Sequence, residues 1–357
     1  MGIRISKSGV MIFAVAVLFL WMTNAEAKGT VFQPRKAKHI ILFIGDGMHL
    51  EHEIATSRYL YGKDTALSFH KLFYRNNVTT WDVDTYNKYA DSHGLLVYDP
   101  ADIIPVAGYN PQEGGYRPWP LQISGVNDAY FIPTDGSSPF AADSASTATA
   151  TATGFKTDSG NIAWMSGDPE DGELTTIAEL LKKEKGYSIG VVSTVPFSHA
   201  TPAAHVSHNT SRNNYQEIAA EIVETFQPDV VIGGGNPSYY KGGENYRYIS
   251  KTVYDSLRSN GAGGTYAFAE RQDGVDGTVS ILETAQEAID EGKKLFGLYG
   301  GFDGSFESPV AHDLPGTPCI SRTTMENPLL KDAALAALKV LSQDPDGFFI
   351  MLEQGDI

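Results

Sequence analysis

The sequence predicts an α/β fold with a largely parallel sheet, and two observations carry that prediction. Short apolar runs of the kind buried on both faces of a sheet alternate with segments of helical periodicity. Residues able to bind ligands then gather where the apolar runs end, as parallel sheets require. Residues 38–45 form the first apolar run, closed by Gly45 and followed by Asp46, Gly47 and Met48. It is expected to be a strand buried on both faces. Glu173 to Lys185 carries Leu174, Ile177, Leu180 and Leu181 at helical spacing, with Gly186 as the stop signal. Ser188 to Thr194 reads as a second buried strand. Tyr215 to Phe226 reads as a helix entering a third strand, Asp229 to Ile232, which Gly233, Gly234 and Gly235 terminate. A helix over Glu283–Lys294, a short strand over Leu295–Tyr299, a helix over Pro328–Leu341 and a strand over Gly347–Leu352 complete the alternation. Residues 81–140 break the pattern. They are rich in Tyr, Pro, Gly and Asp, and read as a long insertion covering the surface near the ligand-binding edge.

Composition narrows the class. The chain has 357 residues, long enough to bury a large core, and a formal net charge of −16. That charge argues against a general nucleic-acid or anionic-membrane binder. Residues 1–27 resemble an export signal: Arg4 and Lys7 precede an apolar stretch, Val10 to Met22, and Ala25-Glu26-Ala27 is a small-x-small cleavage site. The stretch is short for a membrane span, so cleavage near Lys28 and a periplasmic or secreted protein are expected. The single cysteine, Cys319, permits neither an internal disulfide nor a thiolate zinc cluster. Any metal must be held by oxygen and imidazole.

Residues 142–157 are small residues and hydroxyls, with Asp143 directly before Ser144 and Lys156-Thr157 at the close. A helix start offers unpaired N–H groups and a positive dipole end, so a serine there would face a phosphate or sulfate. Alone, the run also reads as a low-complexity linker. Other strand ends supply partners for it. Asp46 sits between glycines after the first strand. His199 and Thr201 follow the second and offer a nitrogen and an oxygen to a cation, and Arg212 carries a planar fork suited to two phosphate oxygens. The last strand, from Phe348, runs into Glu353, a hard oxygen ligand.

Together these motifs resemble the alkaline phosphatases. The likeness covers Asp143-Ser144-Ala145 through Gly154-Phe155-Lys156-Thr157, His199 to Ala204 with Thr210-Ser211-Arg212, Asp46-Gly47-Met48, and Phe348 to Glu353. The motifs stand in the family's order and span most of residues 28–357 apart from the 81–140 insertion. The resemblance implies a three-layer α/β/α sandwich and a phosphate monoester substrate. It implies Ser144 as the nucleophile of a phosphoserine intermediate, Arg212 as phosphate clamp and Asp143 as the residue that positions it. It also implies Asp46 bridging a zinc and the magnesium, and Thr201 and Glu353 as magnesium ligands. His199 stands where the family varies between Asp and His. The cofactors implied are one Mg²⁺ and two Zn²⁺, and a homodimer is compatible.

The family's remaining zinc ligands lie beyond the position equivalent to Ile357. His205, His208 and His312, beside Asp313, are not placed as those ligands are. The reading expected is therefore a polypeptide continuing past Ile357. The alternatives are a phosphodiesterase or sulfatase relative, or an inactive exported protein that binds phosphate or metal. A Cys/Ser-x-Pro-x-Arg motif, which a sulfatase needs, is missing from the sequence.

Overall fold

The computed structural model describes residues 37–74, 81–92, 142–306, 324–355 and 357. The export segment, residues 93–140 of the insertion, His312, Asp313 and Cys319 lie outside the described residues. In chain order the elements are β1 (His39–Gly45), α1 (Leu50–Tyr61), α2 (Val83–Ser92), α3 (Ser144–Thr153), α4 (Ile177–Lys185), β2 (Ser188–Pro196), α5 (Ala200–Val206), α6 (Tyr215–Ala220), β3 (Val230–Gly234), α7 (Lys251–Gly264), β4 (Tyr266–Glu270), α8 (Gly277–Glu291), β5 (Lys294–Leu298), α9 (Leu330–Leu341) and β6 (Phe348–Gln354).

The six strands form one sheet in the order β1-β6-β2-β3-β5-β4. Every pairing is parallel, so all carboxyl ends lie along one edge. Alternation along each strand splits the core in two. Ile189 and Val191 of β2 and Phe349 and Met351 of β6 pack with α3, α4, α5, α6 and α7 on one face. Val192, Phe348, Ile350 and Leu352 pack with α8 and α9 on the other. This is the expected three-layer arrangement, with a sheet wholly rather than largely parallel among the described residues.

β1 departs from its expectation of burial on both faces. Among the described residues it is an edge strand, paired only with β6. Ile40, Leu42 and Ile44 pack against the first core, while Ile41 and Phe43 point away and are 43% and 74% exposed. The helix expected from Glu173 begins at Ile177. Thr176 caps it, its hydroxyl accepting from the Glu179 N–H while the Glu179 carboxylate accepts from the Thr176 N–H. Glu173 is instead bridged to Trp164. The helix expected over Tyr215–Phe226 changes character at Glu221, where a π-helical turn takes over to Phe226. Trp81 and Val83 are buried, and residues 83–92 are helical. α1, α7 and β4 lie outside the elements read from the sequence. Among the described residues no helix is long and apolar enough to cross a membrane.

Candidate active site

The 142–157 run is a helix because its small residues let α3 lie close to α5. Ala145, Ala148 and Ala152 of α3 are buried, as are Ala200, Ala203 and Ala204 of α5, and the two helices pack together. The hydroxyls are absorbed locally. Thr149 donates to the Asn161 carbonyl and accepts from the Ala163 N–H, while Thr151 and Thr153 donate to carbonyls one turn back. Gly154 ends the helix at a φ of 82°, which favours a residue without Cβ.

Asp143 is the N-cap. Its Oδ1 accepts from the Ser146 N–H at 2.9 Å and from the Ser146 hydroxyl at 2.9 Å. Its Oδ2 accepts from Arg212 Nη1 at 2.9 Å. Burial alone would raise this carboxyl, but the Ser146 N–H, the Arg212 guanidinium and the Ser146 hydroxyl outweigh it and hold it below the ordinary range. Asp143 thus fixes the helix start and the arginine together. Arg212 is also anchored through its own N–H, which donates to the Gly160 carbonyl at 2.7 Å.

Ser144, the first residue of α3, donates its hydroxyl to Asp46 Oδ2 at 3.1 Å. Asp46 directly follows β1, and its N–H donates to the Gln354 carbonyl at the end of β6. Parallel register then sets Glu353 between Ile44 of β1 and Ser193 of β2. Glu353 is fully buried and accepts from the Ser193 hydroxyl at 2.5 Å. Thr201 is buried in the first turn of α5, and His199 caps that helix. Asp46, Ser144, Glu353, His199 and Thr201 therefore come from the adjoining ends of β1, β6 and β2 and from two helix starts. Burial, aided by the Arg212 charge, pushes His199 down to about 4, so its imidazole is neutral at pH 7.

Donor chemistry tests the metals. Two carboxylates, a hydroxyl and a neutral imidazole along one edge suit a hard divalent cation. Among the described residues, however, no three His, Cys, Asp or Glu side chains gather as a metal-binding group. Asp46, His199 and Glu353 share an edge without closing on one point. The two-zinc set is not assembled by these residues. His205 is a buried residue of α5 with Nδ1 against the Thr201 carbonyl one turn back, and His208 is held between Glu179 and Glu221.

Two residues at this edge escape a reading from sequence. Tyr215 lays its ring parallel to that of His199, with centroids 5.9 Å apart and planes 8° from parallel. Arg247 sits over the far platform, 5.2 Å from the Tyr215 centroid and 5.8 Å from that of Tyr248. The only local signal is the Tyr246-Arg247-Tyr248 triplet. Behind α3, Lys156 donates to the Trp81 carbonyl at 2.9 Å, and the Val83 N–H and Asp84 carboxylate bond to Thr157 and Ser159. The 81–84 segment is thereby tied to the residues that follow the serine helix.

Comparison with known proteins gives the family and the fold. A family profile described as alkaline phosphatase matches residues 131–357. Alkaline phosphatase 3 of Bacillus subtilis (strain 168) is 31% identical over 220 residues, covering 60% of this chain and 39% of its own length. Alkaline phosphatase H of Pseudomonas aeruginosa (strain UCBPP-PA14) is 27% identical over 287 residues, covering 72% of this chain and 57% of that protein. The chain thus spans about half the length of these curated relatives or less. Among solved structures, Thermus thermophilus alkaline phosphatase superposes with a TM-score of 0.55 at 20% identity, over 90% of this chain and 50% of that one. A variant of alkaline phosphatase from the Antarctic bacterium TAB5, solved with Mg bound in its M3 site, gives 0.50 at 20% identity, over 89% of this chain and 64% of that one. The profile covers more than half of the chain and takes in Asp143, Ser144, Arg212 and Glu353; the chain belongs to the alkaline phosphatase family.

Proposed function

We propose that the protein is an exported hydrolase of phosphate monoesters that works through a phosphoserine on Ser144. The observation that carries this reading is the geometry at the start of α3. One residue, Asp143, caps the helix and grips Arg212, while the next, Ser144, points its hydroxyl at Asp46.

In this reading the phosphoryl group docks at the N-terminus of α3, where N–H groups and the helix dipole favour an anion. Arg212 binds two non-bridging oxygens, and Asp143 keeps its fork in one orientation. Ser144 Oγ then attacks phosphorus in line with the departing ester oxygen. Its proton leaves along the hydrogen bond to Asp46 Oδ2 and passes on to the departing ester oxygen, so that the new O–P bond forms as the ester P–O bond breaks and a neutral alcohol leaves. Water subsequently attacks the phosphoserine; its oxygen bonds to phosphorus, the Ser144 Oγ–P bond breaks, and the proton that the water loses returns to Ser144 Oγ, releasing inorganic phosphate. Asp46, Thr201 and Glu353, with His199 beside them, would hold magnesium, in keeping with the Mg-bound TAB5 relative. A divalent cation there would supply positive charge to an otherwise acidic edge and lower the cost of bringing in an anion.

The test is covalent labelling. With magnesium and zinc supplied, the protein incubated with ³²P-labelled monoester and acid-quenched should carry label on Ser144, and Ser144→Ala should carry none. Equal labelling of the two proteins would sink the nucleophile assignment.

A further inference from the structure

Three arginines in the described part of the protein stand over tyrosine rings. Arg258 stands over Tyr254, with its Nε 2.9 Å from Glu270. Arg271 stands over Tyr239, and Glu326 pairs with its guanidinium at 2.9 Å. Both are neutralised, and their rings and carboxylates close a structural cluster. Arg247 is different. It rests on Tyr215 and Tyr248 yet, among the described residues, no carboxylate pairs with it, and it is exposed. Its platform is also the ring that stacks on His199, at the phosphate edge. The stack runs from His199 through Tyr215 to Arg247, and the positive charges of Arg212 and Arg247 both bear on His199.

An arginine held this way loses little freedom on binding, because Tyr215, Tyr240 and Tyr248 form a buried edge-to-face cluster beneath it. One of its N–H groups is hydrogen-bonded to the Tyr215 side chain, and the exposed remainder of the fork carries no carboxylate among the described residues. Arg212 is committed to Asp143 and the reacting phosphoryl group, so a second guanidinium meets the rest of the ester. Resting on the phosphatase reading above, we infer that Arg247 is a specificity-determining residue that selects phosphate monoesters whose leaving group bears a second anionic group, a carboxylate or another phosphate. The Tyr215 ring positions both His199 and this arginine, which ties preference beyond the phosphoryl group to the geometry of the site itself.

The experiment measures kcat/KM for two esters of similar size, ethyl phosphate with a neutral leaving group and 2-phosphoglycolate with a carboxylate. Arg247→Gln should lower the ratio of 2-phosphoglycolate to ethyl phosphate by about tenfold, chiefly through KM. Arg247→Lys should recover part of that loss. Arg258→Gln, an arginine on a tyrosine away from the site, should leave the ratio as in the unmodified protein. A ratio unmoved by Arg247→Gln, or moved equally by Arg258→Gln, overturns the inference while leaving the phosphatase reading intact. An unmodified, metal-supplied protein that hydrolyses neither ester sinks both.

Discussion

The two halves of the sheet's carboxyl edge use the same kind of position in opposite ways. At β3, β5 and β4 the edge is sealed. Gly234, Gly300 and Gly304 bring backbone so close that a Cβ at Gly234 or Gly300 would collide with the Gly304 carbonyl. Glu270, at the end of β4, accepts from Tyr254 at 2.8 Å and pairs with Arg258, and Arg271 is spent on Glu326 and the Gly300 carbonyl. At β1, β6 and β2 the polar groups point at one another across a gap between helix starts. Ser144 faces Asp46, Arg212 faces Asp143, and Thr201 and Glu353 lie buried nearby. Charged residues at strand ends are therefore not evidence of a site in themselves. Pairing does not separate the halves, since Arg212 is itself paired with Asp143; what separates them is that close-packed glycine backbone covers the one edge, while two helix starts, those of α3 and α5, face the other.

Breaking each half should have a different signature, and the largest effect is expected at the open one. Arg212→Ala removes donors aimed at the non-bridging oxygens, so kcat/KM on a simple monoester should fall by about 10²-fold or more, with thermal stability little changed. Arg212→Lys should restore only a small part, because a point charge cannot replace the fork. Steady-state kinetics alongside a melting curve check this. A variant that melts early and recovers its rate on cooling would place Arg212 in the structural class instead.

Glu270→Gln probes the sealed half. It leaves Arg258 and the buried Tyr254 hydroxyl poorly matched, and should cost on the order of 1–3 kcal/mol in denaturant unfolding. Affinity for inorganic phosphate should be retained. The matched change at the open half, Glu353→Gln, should reverse the pattern, with less magnesium retained on equilibrium dialysis. If both substitutions impair phosphate binding alike, the division of the edge is wrong.

Much of this division was legible in the sequence, for physical reasons that also set the limit. β2, β3, β5 and β6 announce themselves because a strand buried on both faces is apolar over most of its length. β4 does not, since Tyr266 to Glu270 alternates large side chains with alanine over a single short run. β1 carries the composition of an interior strand, yet among the described residues it lies at the edge with alternate positions exposed, and neighbours far away in sequence decide that. The serine helix, its cap and Arg212 were readable only in combination, because Asp46, Asp143-Ser144, His199 to Thr201, Arg212 and Glu353 stand in the order of the alkaline phosphatase motifs. Tyr215 and Arg247 were not. Each is an ordinary surface-type residue until the turn after β3 brings Tyr248 and Arg247 against the helix that begins three residues past Arg212.

The smallest expected effect tests what holds the open half in place. His208 sits between α4 and the π turn, 2.9 Å from Glu221 and 3.5 Å from Glu179, four residues before Arg212. Burial would lower this imidazole, but hydrogen bonds and charge from the two glutamates overcome it and raise it to about 10. A folded value above the unfolded value of about 6.5 means the charged form stabilises the fold. That stability is complete below about pH 6.5 and is lost as pH climbs toward 10. Unfolding monitored from pH 7 to pH 10.5 should therefore show a decline on the order of 1–2 kcal/mol that His208→Gln lacks, the variant being weaker than the unmodified protein at pH 7 and nearly equal to it at pH 10.5. Parallel curves for the two proteins across that range would show that the imidazolium does not tie the Arg212 loop to α4, and the open half would then owe its geometry to Asp143 and the Gly160 carbonyl alone.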